Sequence, residues 1–126
     1  MNERNLKIEP TDVTPFFLLD PGAGTMEFRG RSLPCASQRF YHPIIRKIEN
    51  VFEKGTISFT ANFALEYFNT SSSKCLFDIL KKLAMYKNNG ANVVINWFYE
   101  EFDEDMRETG EDYENILGVS FNHIPI

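Results

Sequence analysis

A regular alternation of apolar and polar side chains over residues 57–67 constrains the fold more than any other part of this sequence. Polar residues such as Ser58 and Asn62 occupy most of the even positions. The odd positions are all apolar: Ile57, Phe59, Ala61, Phe63, Leu65 and Tyr67. A period of two puts successive side chains on opposite faces of an extended chain, and it therefore predicts a β-strand with one buried face.

The segment after this strand predicts a turn into a helix and then another strand. The polar run Asn69-Thr70-Ser71-Ser72-Ser73-Lys74 comes first. Apolar residues then recur at three- and four-residue spacing, which indicates a helix over about residues 72–88. Asn88-Asn89-Gly90 marks its end. Residues 93–99 follow as a near-continuous apolar run, which is typical of a strand buried on both faces.

The N-terminal part of the chain predicts a hairpin followed by a helix. The mostly apolar residues 15–20 and the alternating residues 25–30 flank a turn that contains Pro and Gly, which indicates two antiparallel strands. A helix is predicted over about residues 38–54. We expect it to start near His42, because Pro43 would then lie in the first turn, where a missing N–H group costs nothing.

The order of these elements predicts the fold class. A further helix is expected over residues 103–117 and a short strand over residues 120–126. The order β-β-α-β-α-β-α-β indicates an α/β (α+β) fold with a mixed, mostly parallel sheet, an N-terminal antiparallel hairpin and about three helices, because crossover helices join parallel strands. Residues 14–126 are expected to form this single domain. The polar, aperiodic residues 1–13 are expected to form a flexible arm.

Composition and charge exclude several classes of protein. The net charge of −5 disfavours a nucleic-acid binder. No apolar run approaches the roughly 18 residues of a membrane span, so no membrane association is expected. The N-terminus lacks the apolar segment of a signal peptide, and we therefore expect a cytoplasmic protein. Cys35 and Cys75 form no CxxC pair and are expected to be reduced thiols.

The run of hydroxyl side chains after the long strand supports two interpretations. Hydroxyl and amide groups satisfy the free N–H groups that open a helix, so the simpler interpretation is that one Ser or Thr is an N-cap. Four consecutive hydroxyls, Thr70 to Ser73, exceed what one cap requires. The N–H groups and the dipole at a helix N-terminus also favour an anion, so a regulatory phosphorylation site is the alternative.

An acidic segment follows the strand at residues 93–99. Residues 100–114 contain nine acids and one base, Arg107. We interpret this segment as a solvated face or a docking surface for a basic partner. The alternative is a small enzyme that uses a metal ion such as Mg²⁺ held by these carboxylates, although the spacing of an EF-hand is absent. The acids assigned to the docking surface are Glu100, Glu101, Asp103, Glu104 and Asp105.

The sequence contains no recognisable catalytic signature. His42 and His123 are the only histidines, and no set of nucleophile, base and orienting group can be identified from their spacing. The pair Gly22 and Gly24 belongs to a turn, because no helix with the Lys-Ser/Thr of a phosphate loop follows it. We therefore expect a non-enzymatic protein with no catalytic residue, no metal and no cofactor.

Residues 65–80 carry a resemblance to a known family. The run Leu65-Glu66-Tyr67-Phe68-Asn69-Thr70-Ser71-Ser72-Ser73-Lys74, followed by Leu76-Phe77-Asp78-Ile79-Leu80, resembles the SiaC family of bacterial regulatory phosphoproteins. Other segments match that family in order from Thr14 onward. They are Thr14-Pro15, Gly30-Arg31-Ser32 with Pro34, Phe40-Tyr41-His42-Pro43, Trp97-Phe98-Tyr99, Asp103-Glu104-Asp105-Met106 and Gly110-Glu111-Asp112.

The resemblance implies a signalling protein of the partner-switch type, similar in fold to STAS-like anti-sigma-factor antagonists. In this family a kinase phosphorylates the threonine of the Asn-Thr-Ser-Ser motif and a phosphatase reverses the modification. The unmodified form can bind a diguanylate cyclase and promote cyclic-di-GMP synthesis. By position, the resemblance assigns the acceptor to Thr70. The surrounding switch surface comprises Asn69, Ser71, Ser72, Ser73 and Lys74. A structural adaptor, in which the hydroxyl run only caps a helix, is the remaining interpretation.

Overall fold

The computed structural model describes residues 5–33, 37–55 and 58–126. In these ranges six strands and three helices follow one another along the chain. They are β1 (Leu6–Ile8), β2 (Phe16–Asp20), β3 (Thr25–Ser32), α1 (Ser37–Glu53), β4 (Ser58–Phe68), α2 (Thr70–Asn88), β5 (Asn92–Tyr99), α3 (Glu104–Leu117) and β6 (Asn122–Pro125).

The strands form one sheet in which their spatial order is the same as their order along the chain. The first three strands pair antiparallel, and the pairs β3–β4, β4–β5 and β5–β6 are parallel. Each parallel pair is joined by one helix, as a crossover requires. Helix α2 contacts both α1 and α3, so the helices form one layer. The predicted mixed, mostly parallel sheet with an N-terminal hairpin is confirmed.

The core lies between the sheet and this helical layer and is rich in aromatic side chains. Phe28, Phe63 and Trp97 come from three neighbouring strands, and each is at most 1% exposed. The ring centroids of Phe28 and Phe63 are 5.6 Å apart, and those of Phe63 and Trp97 are 5.9 Å apart. Burying a large apolar side chain contributes about 1.5–3 kcal/mol, so this row stabilises the centre of the sheet. Trp97, which lies in the apolar run that predicted a buried strand, is thus a core residue.

The predicted flexible arm is wrong at residues 6–8. Leu6 and Ile8 pair with Leu19 and Phe17 on β2 and pack against the core. These two apolar side chains flank Lys7 and thus follow the period of a strand. Three residues are too few for that period to be recognised in the sequence. Residues 1–4 of the arm lie outside the described ranges.

Two predicted helix starts also differ from the structure. Helix α1 begins at Ser37, so Pro43 lies inside the helix and not in its first turn. Pro43 cannot donate to the carbonyl of Arg39, but Pro43 is exposed, so its surroundings are solvated. Helix α2 begins at Thr70, two residues before the predicted start, because its N-cap comes earlier in the chain than expected.

The prediction that β5 is buried on both faces is wrong. Val94, Asn96 and Phe98 lie on the face without helices and are half-buried. A row of amides crosses this uncovered face. The Asn96 side chain donates a hydrogen bond to Oδ1 of Asn62 (2.8 Å) and accepts one from Nδ2 of Asn122 (2.9 Å).

Gly110 determines how closely α3 packs on the sheet. A Cβ atom at this position would lie 2.6 Å from Nε1 of Trp97, and that nitrogen donates a hydrogen bond to the Met106 carbonyl (2.9 Å).

We expect Gly110→Ala to lower the free energy of unfolding by about 1–3 kcal/mol, because overpacking must displace the indole or the helix. Urea denaturation measures this. Gly22→Ala is the matched control, since its Cβ would meet Asp20 at an ordinary 3.6 Å.

Glu114 ties α3 to the last strand and makes stability depend on pH. Burial favours a higher pKa for Glu114, but hydrogen bonds from the Phe121 N–H (2.7 Å) and from Nε2 of His123 (2.8 Å) outweigh it and lower the pKa. A lowered carboxyl pKa stabilises the fold above the unfolded pKa of about 4.3, and the contribution is lost as pH falls through the folded value. We expect Glu114→Gln to cost about 1 kcal/mol at neutral pH.

The pH profile of unfolding provides the check on Glu114. The difference between the wild-type protein and Glu114→Gln should shrink as pH falls below about 4, because the wild-type carboxylate is then protonated too. Glu108→Gln removes an exposed carboxylate on the same helix and serves as the control. A difference that stays constant down to low pH would contradict a stabilising role for the Glu114 charge.

Candidate functional site

A β-bulge at the end of β4 positions the candidate site. Strands β3 and β4 keep one register up to Gly30 and Leu65, and Arg31 then pairs with Tyr67, which leaves Glu66 as an extra residue. A bulge reverses the alternation of side chains. Tyr67, predicted to share the buried face, is therefore 52% exposed.

After the bulge, Phe68 turns toward the core. Its ring lies edge-on to Trp97 with 6.4 Å between the ring centroids. The backbone of the next residue is fixed to β3, because the Asn69 N–H donates to the Ser32 carbonyl (3.0 Å). The end of β4 is thus fixed by the packing of the Phe68 side chain and by the backbone hydrogen bond of Asn69.

Asn69 is the N-cap of α2. Its Oδ1 accepts a hydrogen bond from the Ser72 N–H (2.9 Å), and its carbonyl accepts one from the Ser73 N–H (2.9 Å). The simpler interpretation of the hydroxyl run assigned the cap to a Ser or Thr, and this is wrong because the Asn side chain already occupies that role. Thr70 is consequently the first residue of the helix.

A chain of hydroxyl groups, all buried except that of Ser71, joins β3, α1 and α2 behind the site. Ser32 Oγ lies 2.6 Å from Tyr41 Oη and 2.8 Å from Ser72 Oγ. Ser37 Oγ lies 3.3 Å from Ser72 Oγ and 2.7 Å from Ser71 Oγ. We call these five residues the hydroxyl chain. Because Ser32, Ser37 and Ser72 are each at most 3% exposed, their hydroxyls depend on partners within the protein for hydrogen bonding.

Tyr41 anchors the inner end of the hydroxyl chain. Its side chain is fully buried. Burial raises the pKa of Tyr41 strongly, against a lowering effect of the hydrogen bond with Ser32. The phenol therefore stays protonated at neutral pH and can donate a hydrogen bond. Sequence analysis did not single out Ser32, Ser37 or Tyr41 as site residues.

The predicted switch residues differ in accessibility. Thr70, Ser71 and Lys74 are exposed, Ser73 is half-buried and Ser72 is fully buried. The Ser73 hydroxyl donates to the Thr70 carbonyl (3.0 Å). The outer surface of the site is therefore formed by Thr70, Ser71 and Lys74, while Ser72 belongs to the core.

A groove of about 1490 Å³ adjoins this surface and runs between the first turns of α1 and α2 and the outer part of α3. Ser71 and Lys74 of α2 line it, together with Arg39 of α1. Its α3 side is formed by Tyr113 and Ile116, and Ile116 is 69% exposed. The groove thus combines an apolar wall with two cationic side chains and one carboxylate, that of Asp78.

Cys75 lies beside this groove and is buried. Burial raises the pKa of its thiol, with a further contribution from the carboxylate of Asp78. A raised pKa keeps the thiol protonated and unreactive. The prediction of a reduced core thiol is confirmed for Cys75. Cys35 lies outside the described residues.

The acidic segment lies at the same edge of the sheet as the switch residues, because β4 and β5 are parallel and both segments follow their carboxyl ends. Asp103 caps α3 and accepts a hydrogen bond from the Met106 N–H (3.0 Å). The other four predicted docking acids are exposed: Glu100, Glu101, Glu104 and Asp105.

Three further properties concern the parts of the chain that the structure describes. None of the His, Cys, Asp and Glu side chains in these parts forms a group of three or more that could hold a metal ion. No helix in them is long and apolar enough to cross a membrane. The ion pairs among these residues also do not include Lys74, so its ammonium group is available at the surface.

Comparison with protein families identifies the class of protein. Residues 8–126 match the family described as SiaC family regulatory phosphoprotein. The chain therefore belongs to the SiaC family. It is also 30% identical over 117 residues, 93% of each chain, to an uncharacterized protein of Pseudomonas aeruginosa strain UCBPP-PA14.

Solved structures of SiaC from Pseudomonas aeruginosa share this fold. Apo-SiaC matches with a TM-score of 0.89 and 27% identity, over 97% of this chain and 99% of that chain. A chain in the crystal structure of the diguanylate cyclase SiaD in complex with its activator SiaC matches with a TM-score of 0.91 and 28% identity, over 96% of this chain and 99% of that one.

The hydroxyl chain predicts the effect of removing Ser32, the member that joins Tyr41 to Ser72. We expect Ser32→Ala to lower the free energy of unfolding by about 1–3 kcal/mol, because the buried Tyr41 and Ser72 hydroxyls each lose a partner. Chemical denaturation measures the loss, and Ser120→Ala, an exposed serine, is the control. Equal stability of the two variants would mean that the hydroxyls at this position find other partners.

Proposed function

We propose that this chain is a non-enzymatic signalling protein that changes partners when Thr70 is phosphorylated. The observation that carries the proposal is the position of Thr70: its side chain is exposed at the first residue of α2, beside a groove with an apolar wall and cationic side chains. A kinase would add the phosphoryl group and a phosphatase would remove it, both in the cytoplasm, where ATP is available.

Electrostatics at the start of α2 supports this role for Thr70. The N–H groups of Thr70 and Ser71 open the helix and have no partner within it. A phosphate adds about −1.5 to −2 charges at neutral pH, and hydrogen bonds from such N–H groups stabilise it. Lys74 lies four residues after Thr70 and therefore on the same helix face. Phosphorylation would neutralise the Lys74 charge that the unmodified surface presents.

The groove suggests how a partner distinguishes the two forms. Its apolar wall suits an apolar helix face, and Arg39 and Lys74 suit acidic residues at the rim of that helix. A phosphate on Thr70 would compete for Lys74 and repel the same acids. We propose that the unmodified form binds and the phosphorylated form is released.

The proposed partner is a diguanylate cyclase. SiaC of Pseudomonas aeruginosa, which shares the fold over almost its whole length, is described as the activator of the diguanylate cyclase SiaD. By this likeness, the chain would regulate cyclic-di-GMP synthesis in its own bacterium. Glu100, Glu101, Glu104 and Asp105 provide a second, acidic docking surface at the same sheet edge, which suits a basic partner such as a kinase.

Site mapping tests the acceptor. The chain is incubated with its cognate kinase and ATP, and phosphopeptides are assigned by mass spectrometry. We expect label on Thr70 and its complete loss in Thr70→Val. Thr109→Val makes the same side-chain change on α3 and should be labelled normally. Label confined to residues 71–73 would contradict the assignment.

Partner affinity tests the switch itself. Calorimetry compares the unmodified and the phosphorylated chain as ligands of the diguanylate cyclase from the same bacterium. We expect phosphorylation to weaken binding on the order of a hundred-fold, since a charge left unpaired in an interface costs several kcal/mol. Lys74→Gln should weaken binding of the unmodified form and reduce the effect of phosphorylation. Equal affinity of both forms would exclude the switch.

A further inference from the structure

Four consecutive hydroxyls open α2, yet their hydrogen bonding differs sharply. In the described part of the chain, the Thr70 hydroxyl makes no hydrogen bond, whereas its three neighbours are all engaged. Ser71 Oγ lies 2.7 Å from Ser37 Oγ and donates to Oδ1 of Asn69 (3.3 Å). The other two are held as described above: Ser72 within the hydroxyl chain and Ser73 on the Thr70 carbonyl.

Exposure alone does not separate Thr70 from Ser71, because both are exposed on the first turn of α2. What separates them is Ser37. This serine comes from the first residue of α1, is 3% exposed, and is fixed by its place between Ser71 and Ser72. Its contact with Ser71 is the shorter of the two that the Ser71 hydroxyl makes.

We propose that Ser37 is a specificity-determining residue that directs phosphorylation to Thr70 by holding the Ser71 hydroxyl. The inference rests on the proposed function of Thr70 and adds the reason why a kinase modifies one of two adjacent exposed hydroxyls. Ser37 is a positioning residue, because it acts on the acceptor through Ser71 and does not touch the transferred group.

The chemistry explains why a held hydroxyl is a poor acceptor. In the transfer, an acceptor oxygen forms a bond to the γ-phosphorus of ATP while the bond from that phosphorus to the β–γ bridging oxygen breaks, and ADP leaves. The hydroxyl proton passes to a base of the kinase. The acceptor must therefore rotate toward the kinase, and Ser71 can do so only by losing its contacts with Ser37 and Asn69. Thr70 has no such contact to lose.

Site-localised phosphopeptide mass spectrometry tests this in an extract of the source bacterium supplied with ATP and phosphatase inhibitors. The wild-type chain should be labelled on Thr70 alone. In Ser37→Ala, label on Ser71 should reach at least about fivefold the background level of the wild-type chain, the factor that corresponds to losing one hydrogen bond. In the Thr70→Val background no label is expected, and Ser37→Ala added to it should restore label on Ser71.

Three variants separate this role from a general loosening of the site. Ser37→Thr keeps a hydroxyl and should return label to Thr70 alone. Ser37→Cys keeps the size of the side chain but offers only a weak thiol partner, so it should also label Ser71 even if Ser37→Ala folds poorly. Ser32→Ala disturbs the hydroxyl chain on its other side, and it should lower stability without adding label to Ser71.

The outcomes distinguish the two proposals. Suppose that Ser37→Ala and Ser37→Cys are both labelled on Thr70 alone, and that neither is labelled when combined with Thr70→Val. This result would overturn the role of Ser37 and leave the proposed function standing. Label on Ser71 in Thr70→Val alone would also overturn it, because Ser71 would then be available despite Ser37. A wild-type chain without label on any hydroxyl would overturn both proposals.

Discussion

The contact between two buried hydroxyls, Ser32 Oγ and Ser72 Oγ at 2.8 Å, is the constraint on which the functional end of the molecule depends. It joins the last residue of β3 to the first turn of α2, which are 40 residues apart in sequence. A buried polar group without a partner costs roughly 1–3 kcal/mol, so these hydroxyls favour one arrangement of strand and helix. Asn69 completes the junction by bonding the Ser32 carbonyl and capping α2.

This junction supports the small accessible surface formed by Thr70, Ser71 and Lys74 from beneath. Ser72 is buried and fixed, whereas Thr70, two residues earlier, is exposed. A modification at Thr70 can therefore change the charge of the surface without disturbing the polar contacts beneath it. The adjoining groove is lined by residues of all three helices. A partner bound there would therefore contact α1, α2 and α3 together.

Local patterns in the sequence predicted much of this fold. The period of two identified β4, and the alternation of strands and helices identified a mostly parallel sheet. The same period failed at Tyr67, because the bulge at Glu66 reverses the side-chain alternation and depends on pairing with β3. The start of α1 was misplaced because Pro43, although unfavourable in a helix interior, is tolerated at an exposed position.

The candidate site was predictable only in part, for a related reason. The hydroxyl run was visible in the sequence, and the resemblance to the SiaC family singled out Thr70. The partners that distinguish its neighbours, Ser32 and Ser37, lie 34 to 40 residues away along the chain. No local spacing encodes such contacts. Only the folded chain brings them together.

The two outermost strands of the sheet restrict the way in which another protein can approach it. An exposed strand edge is a template for pairing with a foreign backbone and a common origin of aggregation. Here β1 contributes three residues and β6 four, the last of them Pro125, which has no N–H group to donate. Within the described residues, these two outer strands therefore offer little backbone for strand addition. The proposed recognition would instead rely on side chains, whose charge a phosphate on Thr70 would change.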